Sequence, residues 1–209
     1  MLYLATASGP KVHEAMAAGL IGQMVTYRSP NRLVPGAPYA IDNGRVILRD
    51  GHPRLNPDWS PVRWQAHLAR LADEKGCVFA TVPDVVGDAA ATDELWGRWA
   101  PVVEAVGHPA AYVAQNGCER IPDDAEVVFL GGDTDWKLGP AARRIASAAK
   151  RAGLWLHGGR VNTRRRLRYM ADIGCDSADG TLLAFGPDIN LPRLCGWLDP
   201  DQGSFGGVA

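Results

Sequence analysis

With 209 residues, 46% of them hydrophobic, the chain is long enough to bury a full core, and its length suits one domain over residues 1–209. A formal net charge of −1 does not announce a nucleic-acid partner, and no apolar run approaches the ~20 residues that a membrane span needs. The first residues lack a basic stretch leading into an apolar segment, so an intracellular, cytoplasmic protein with no membrane partner is expected.

In chain order, a β-rich run at 2–8 precedes an amphipathic segment at 11–19, and a second run at 21–27 leads into a region rich in Pro, Asn, Gly and Arg. That region, 28–58, contains a third run at 37–42 and otherwise reads as an irregular insertion over the active-site face. Strand and helix then alternate: helix 60–75, strand 77–84, helix 88–106, strands 110–115 and 126–132, helix 139–152, strand 154–159, helix 162–173, strand 175–180 and a weaker helix at 190–198. Ser60-Pro61, Gly139-Pro140 and Asn162 supply helix start signals. The alternation predicts an α/β chain, and eight strands suit a compact (β/α)₈ barrel at the lower limit of length for that fold. An open doubly wound sheet is the main rival, weakened because Gly9 stands alone after the first strand where a dinucleotide site would carry several glycines.

The four cysteines, Cys77, Cys118, Cys175 and Cys195, form no Cys-x-x-Cys pair, so they read as buried free thiols, with no metal site. The basic residues cluster. Arg160, Arg164, Arg165, Arg166 and Arg168 follow Arg143, Arg144, Lys150 and Arg151, and either a solvated helix face or a contact with nucleic-acid phosphates explains them.

In a barrel the chemistry lies where strands end, and here six consecutive ends are polar: Asp42-Asn43-Gly44, Asp84, Gln115-Asn116-Gly117, Gly131-Gly132-Asp133, His157-Gly158-Gly159-Arg160 and Asp179-Gly180. Each alone has a structural explanation, as a turn or as relief of crowding. Together they predict one polar pocket. Its glycines would let a flat ligand approach backbone, and Gly158, Gly159 and Arg160 fall where barrels often hold phosphate. His157 reads as a hydrogen-bonded core residue.

The order of these motifs resembles that of tRNA-guanine transglycosylases and their relatives that insert 7-deazaguanines into DNA. The resemblance runs through "YAIDNGRV", "FATVPDVVGD", "YVAQNG", "VFLGGDTD" and "MADIGCDSADGT". It implies Asp179 as nucleophile and Asp42 as general acid/base, with Asp176 structural or orienting its neighbour. Asp84 and Gln115 would read the base, Gly131 and Gly132 would approach it, and Asn43 stands where the family usually has serine. The family's zinc-bearing C-terminal extension is absent, which makes DNA the expected partner and tRNA the lesser one, with free 7-deazaguanine as co-substrate and no cofactor.

On that reading Asp179 attacks C1′ of a guanosine nucleotide, guanine leaves and a 7-deazaguanine enters, while Asp42 moves the protons. A target in duplex would be flipped out, with Arg164, Arg165, Arg166 and Arg168 on its flanking phosphates. Two readings compete: a barrel enzyme acting on a small phosphorylated metabolite, with Gly158 to Arg160 as the phosphate grip, and a degenerate barrel that only binds. The incoming base, the DNA context and the oligomeric state are not fixed by the sequence.

Overall fold

The computed structural model describes residues 1–6, 9–29, 32–49 and 52–199. The first strand, β1 (Leu2–Ala5), leads through α1 (Pro10–Ala17) to β2 (Gly22–Thr26) and β3 (Tyr39–Asp42). An antiparallel hairpin follows, β4 (Val46–Arg49) and β5 (His52–Leu55), before α2 (Pro61–Arg70), β6 (Cys77–Thr81), α3 (Ala89–Ala105) and β7 (Ala110–Ala114). The chain continues through β8 (Val127–Leu130), α4 (Thr134–Lys137), α5 (Pro140–Arg151), β9 (Trp155–Gly158), α6 (Arg164–Asp172), β10 (Ser177–Gly180) and α7 (Pro187–Leu198).

Eight of these strands pair in parallel in the order β1-β10-β9-β8-β7-β6-β3-β2, and β1 also pairs with β2, so the sheet closes on itself. The fold is a (β/α)₈ barrel, as the alternation of elements predicted. Two of its connections carry no helix among the described residues, those from β2 to β3 and from β7 to β8. Those omissions let so short a chain close the barrel.

The helices begin where side chains supply the caps. Ser60, Asp88, Asp133 and Thr163 each accept from the backbone N–H three residues on, at 3.3, 3.0, 2.8 and 3.3 Å. Pro61 and Pro140 open α2 and α5 at the first turn, where their missing N–H costs nothing. The last helix starts at Pro187 rather than 190, after Gly186 has turned the chain with φ 72°.

Strand alternation sorts the core into two clusters. Tyr3, Ala5, Val25, Ile41, Tyr112, Val128 and Leu130 face outward and pack under the helices. Leu4, Met24, Ala40, Phe79, Ala111 and Val127 face inward and fill the barrel. Towards the C-terminal end of the strands, Phe79 and Phe129 meet edge to face at 6.2 Å, and the His157 ring lies 5.0 Å from the first and 4.5 Å from the second. This aromatic layer is the floor on which the site stands.

Within 28–58, expected to be irregular apart from the run at 37–42, the hairpin β4–β5 is a regular element that sequence reading missed. Its foot is fixed by Asn56, whose Nδ2 donates to the Gly44 carbonyl at 3.0 Å, and by Trp59, whose Nε1 donates to the Asn43 carbonyl at 3.0 Å.

Because Phe79 is fully buried between two other rings, the Phe79→Ala variant should lose about 3–5 kcal/mol of folding stability, read as a lower midpoint in urea denaturation. A loss below about 1 kcal/mol would show that the aromatic layer does not hold the barrel.

Candidate active site

The alternation that places Ala40, Phe79 and Phe129 inside the barrel also decides what lies two residues further on, at Asp42, Thr81 and Gly131. Asp179 bears the same relation to the inward-facing Ser177 on β10. These residues, with Asn43, Asp84, Gln115 and Arg160, line a cavity of ≈ 190 Å³ at the C-terminal mouth. Apolar walls are given by Val113 and Phe129, and by Val46 and Ile47 of the hairpin, which lies over the opening.

Asp84 is buried on one side of the cavity. Its Oδ1 accepts from Asn43 Nδ2 at 3.1 Å and its Oδ2 from Gln115 Nε2 at 2.7 Å. Gln115 is held in turn by the Gly87 N–H, which donates to its Oε1 at 3.0 Å, and Asn43 by its own N–H on Thr81 Oγ1 at 2.7 Å. Burial raises the Asp84 pKa despite these donors and despite the charges of Arg45 and Arg160.

Asp42 ends β3 with one carboxyl oxygen on the Gly44 N–H at 2.6 Å. Part of the residue reaches the cavity surface, yet its carboxyl group is enclosed, and that burial pushes its pKa from 3.8 up to about 7. The Gly44 N–H opposes the shift, while the charges of Asp179 and Asp84 add to it. At neutral pH both protonation states of Asp42 are therefore populated.

Asp179 is fixed from behind. Its Oδ1 accepts the Arg160 backbone N–H at 2.9 Å and lies 3.2 Å from His157 Nε2. The fully buried His157 has its Nδ1 2.8 Å from Ser177 Oγ, which accepts from Trp155 Nε1 at 2.8 Å. The indole can only donate, and Ser177 Oγ bridges it to Nδ1; a carboxylate oxygen only accepts, so the contact with Asp179 is one in which His157 Nε2 carries the proton. His157 is thus a satisfied core residue, as expected, and also the support of a carboxylate.

Arg160 has φ 59°, the sole positive value outside glycine among the described residues. That conformation turns its N–H to Asp179 while its guanidinium reaches across to the carbonyls of Gly131 and Gly132 at 2.9 and 3.0 Å. The site glycines answer to packing. A Cβ on Gly131 would lie 2.5 Å from Val113 Cγ1 and 2.7 Å from Gln115 Nε2, one on Gly132 2.5 Å from Trp136, one on Gly158 2.8 Å from Met170 Sδ, and one on Gly159 2.5 Å from Phe129. The N–H groups of Gly131 and Gly132 both donate to the Ala114 carbonyl, at 2.9 and 3.2 Å, and that of Gly159 to Leu130 at 3.2 Å.

The remaining candidates lie elsewhere. Asp176 is outside the cavity, accepting from Lys150 Nζ at 2.7 Å and the Leu156 N–H at 2.8 Å. Arg164, Arg165 and Arg168 are exposed on α6, whereas Arg166 is half-buried against α4. Sequence reading missed Ser177 and Lys137. Ser177 had a signal, standing two before Asp179 on the same face of its strand; Lys137 had none, because the four-residue α4 is too short to read. All four cysteines are free, and among the described residues no cluster of three His, Cys, Asp or Glu side chains could hold a metal. No helix among them is long and apolar enough to cross a membrane.

No family model matches the chain, and no curated protein matches it. Solved structures similar to it include the native structure of KDPGal, at 11% identity and a TM-score of 0.48, covering 94% of this chain and 88% of that one. An HpcH/HpaI aldolase from Desulfitobacterium hafniense DCB-2 shows 12% identity and a TM-score of 0.45, covering 100% and 93%. A protein described as a glycerophosphoryl diester phosphodiesterase, from Agrobacterium tumefaciens str. C58, shows 12% identity and a TM-score of 0.40, covering 77% and 61%. Likeness at this level carries no argument about activity.

The resemblance to tRNA-guanine transglycosylases is corrected by these comparisons: no family model matches, and none of the three structures named above is described as a transglycosylase. The glycosyltransferase class falls with it. Physically, the matching segments are polar strand ends and packing-required glycines, and a barrel mouth produces both without any particular substrate.

Asp42 gives the site a signature in stability. Between about pH 4 and 7 the unfolded chain ionises this carboxyl while the folded chain keeps it protonated, so stability falls as pH rises through that window, and the full penalty applies above 7. The Asp42→Asn variant should match the wild type near pH 4 and exceed it by about 2–4 kcal/mol at pH 8 in urea denaturation. Equal stabilities at both pH values would refute the raised pKa.

Proposed function

We propose that the chain is a barrel enzyme performing acid/base chemistry on a small polar metabolite that carries an anionic group, phosphate foremost. The observation that carries this reading is Asp42: an enclosed carboxyl with a pKa of about 7, at the wall of a cavity with a second carboxylate, Asp179, held in place by two donors. A group titrating near neutrality is suited to both accept and return a proton, and proton transfer by such a group contributes about 10²–10⁴-fold to rate.

The size of the cavity supports a small substrate, since ≈ 190 Å³ falls below the ~300–1,000 Å³ typical of drug-sized ligands. Its chemistry supports a ligand polar on one side: Asp84, with Asn43 and Gln115 locked to it, presents fixed acceptors and amides, while Val113, Phe129, Val46 and Ile47 exclude water. In this reading Arg160 receives the anionic group. Its backbone N–H and that of Gly159 are already spent, so the grip is the guanidinium, which keeps donors beyond those on the Gly131 and Gly132 carbonyls.

In the proposed step the substrate's anionic end docks on Arg160, a donor on its body meets Asp84, and Asp42 takes a proton from the substrate or returns one. Asp179, supported by the His157 imidazole, stabilises positive charge or accepts a substrate hydroxyl opposite.

The test is solvent exchange. A panel of small phosphorylated and carboxylated metabolites is incubated with the protein in deuterated buffer and followed by proton NMR. Loss of a C–H signal from one compound, with a break in the rate near pH 7 and a drop of about 10²–10⁴-fold in the Asp42→Asn variant, is the expected result. Wild-type exchange in that variant, or no exchange and no thermal shift with any anionic member, would overturn the assignment.

A further inference from the structure

A second, much smaller cavity of ≈ 10 Å³ lies between α4, the turn after β9 and α6, and it shares Arg160 with the active site. Its walls include three cations, Lys137, Arg160 and Arg166, and among the described residues no carboxylate lines it. Lys137 is 5% exposed, driven inward because Asp133 caps the short α4 and Leu138 closes it. Its Nζ donates to the Gly159 carbonyl at 2.6 Å, which uses one of three ammonium donors. The Arg166 guanidinium has no hydrogen-bonded or ion-paired partner among the described residues, and Arg160 spends a guanidinium nitrogen on Gly131 and Gly132.

Three like charges converging on one small space is an unfavourable arrangement for a folded chain to retain. Burial pulls the Lys137 pKa down to about 7, Arg160 and Arg166 pull in the same direction, and the charges of Asp179 and Asp133 offset them only in part. The cavity has roughly the volume that one water requires. A water would meet the unused donors but not the charge; an anion of similar size meets both.

We propose that the Lys137–Arg160–Arg166 cavity binds a single small inorganic anion of halide size. The anion would offset part of the cluster's charge from within and brace Arg160, whose guanidinium and backbone N–H set one edge of the active site. This inference does not depend on the proposed reaction, and its readouts need no turnover.

The test compares thermal unfolding in sodium chloride with sodium gluconate at equal ionic strength, so that general screening cancels. For the wild type, chloride should raise Tm saturably by about 2–4 °C over gluconate, and the protein should broaden the ³⁵Cl resonance. Both effects should vanish in Arg166→Gln, a change at a half-buried position that leaves the barrel strands untouched, and in Lys137→Met if that variant folds. No chloride-specific gain, or an equal gain in Arg166→Gln, would overturn the site. Sulfate or phosphate stabilising at lower concentration than chloride, with that gain lost in Arg166→Gln, would overturn the halide assignment.

Discussion

The constraint on which everything else rests is closure. Because β1 pairs with both β10 and β2, no strand can slip without breaking the ring, and each strand's alternation is therefore locked to the same interior axis. A residue two positions beyond a core residue has to face inward as well. Ala40 carries Asp42 with it, Phe79 carries Thr81, and Ser177 carries Asp179. The pocket is in this sense the last layer of the barrel filling, made polar where the preceding layer is apolar.

A polar layer on an aromatic floor needs its own support, and the structure supplies it through the turn after β9. Holding Arg160 at φ 59° is strain of about 1–3 kcal/mol by the usual measure, and the turn persists because several contacts fix it at once. The Arg160 N–H on Asp179, its guanidinium on two carbonyls and the Lys137 ammonium on Gly159 all require that backbone shape. Beneath it, Trp155, Ser177 and His157 form a chain of hydrogen bonds that ends on the same carboxylate. Asp179 is thus held by the turn on one side and by His157 on the other.

Much of this was legible in the sequence. Each of the eight barrel strands falls within a β-rich run, since parallel barrel strands are apolar on both faces and stand out against polar turns. The polar strand ends announced the mouth for the same reason. The hairpin β4–β5 escaped because Pro53 and the run of Arg, Asp, Gly and His around it read as irregular, and a two-stranded element facing the mouth has no second apolar face to reveal it. Lys137 and the left-handed Arg160 escaped for a different reason: both are set by tertiary contacts, and neither a four-residue helix nor a single positive φ leaves a periodic trace.

The failed resemblance shows how far such local signals reach. Gly131 lacks a side chain because Gln115 and Val113 from the neighbouring strand occupy its Cβ position, and Gly159 because Phe129 does. Where strands converge at this mouth, a long side chain on one strand leaves room only for glycine on the next. A motif built from such residues reports the architecture that requires them. What sets one barrel apart from another lies in features with no packing explanation: here the enclosed Asp42 carboxyl, its pKa pushed up to about 7 by burial, costs stability above that pH. Packing does not account for a buried group whose charge weakens the fold, and the chemistry is therefore argued from Asp42 rather than from any of the glycines.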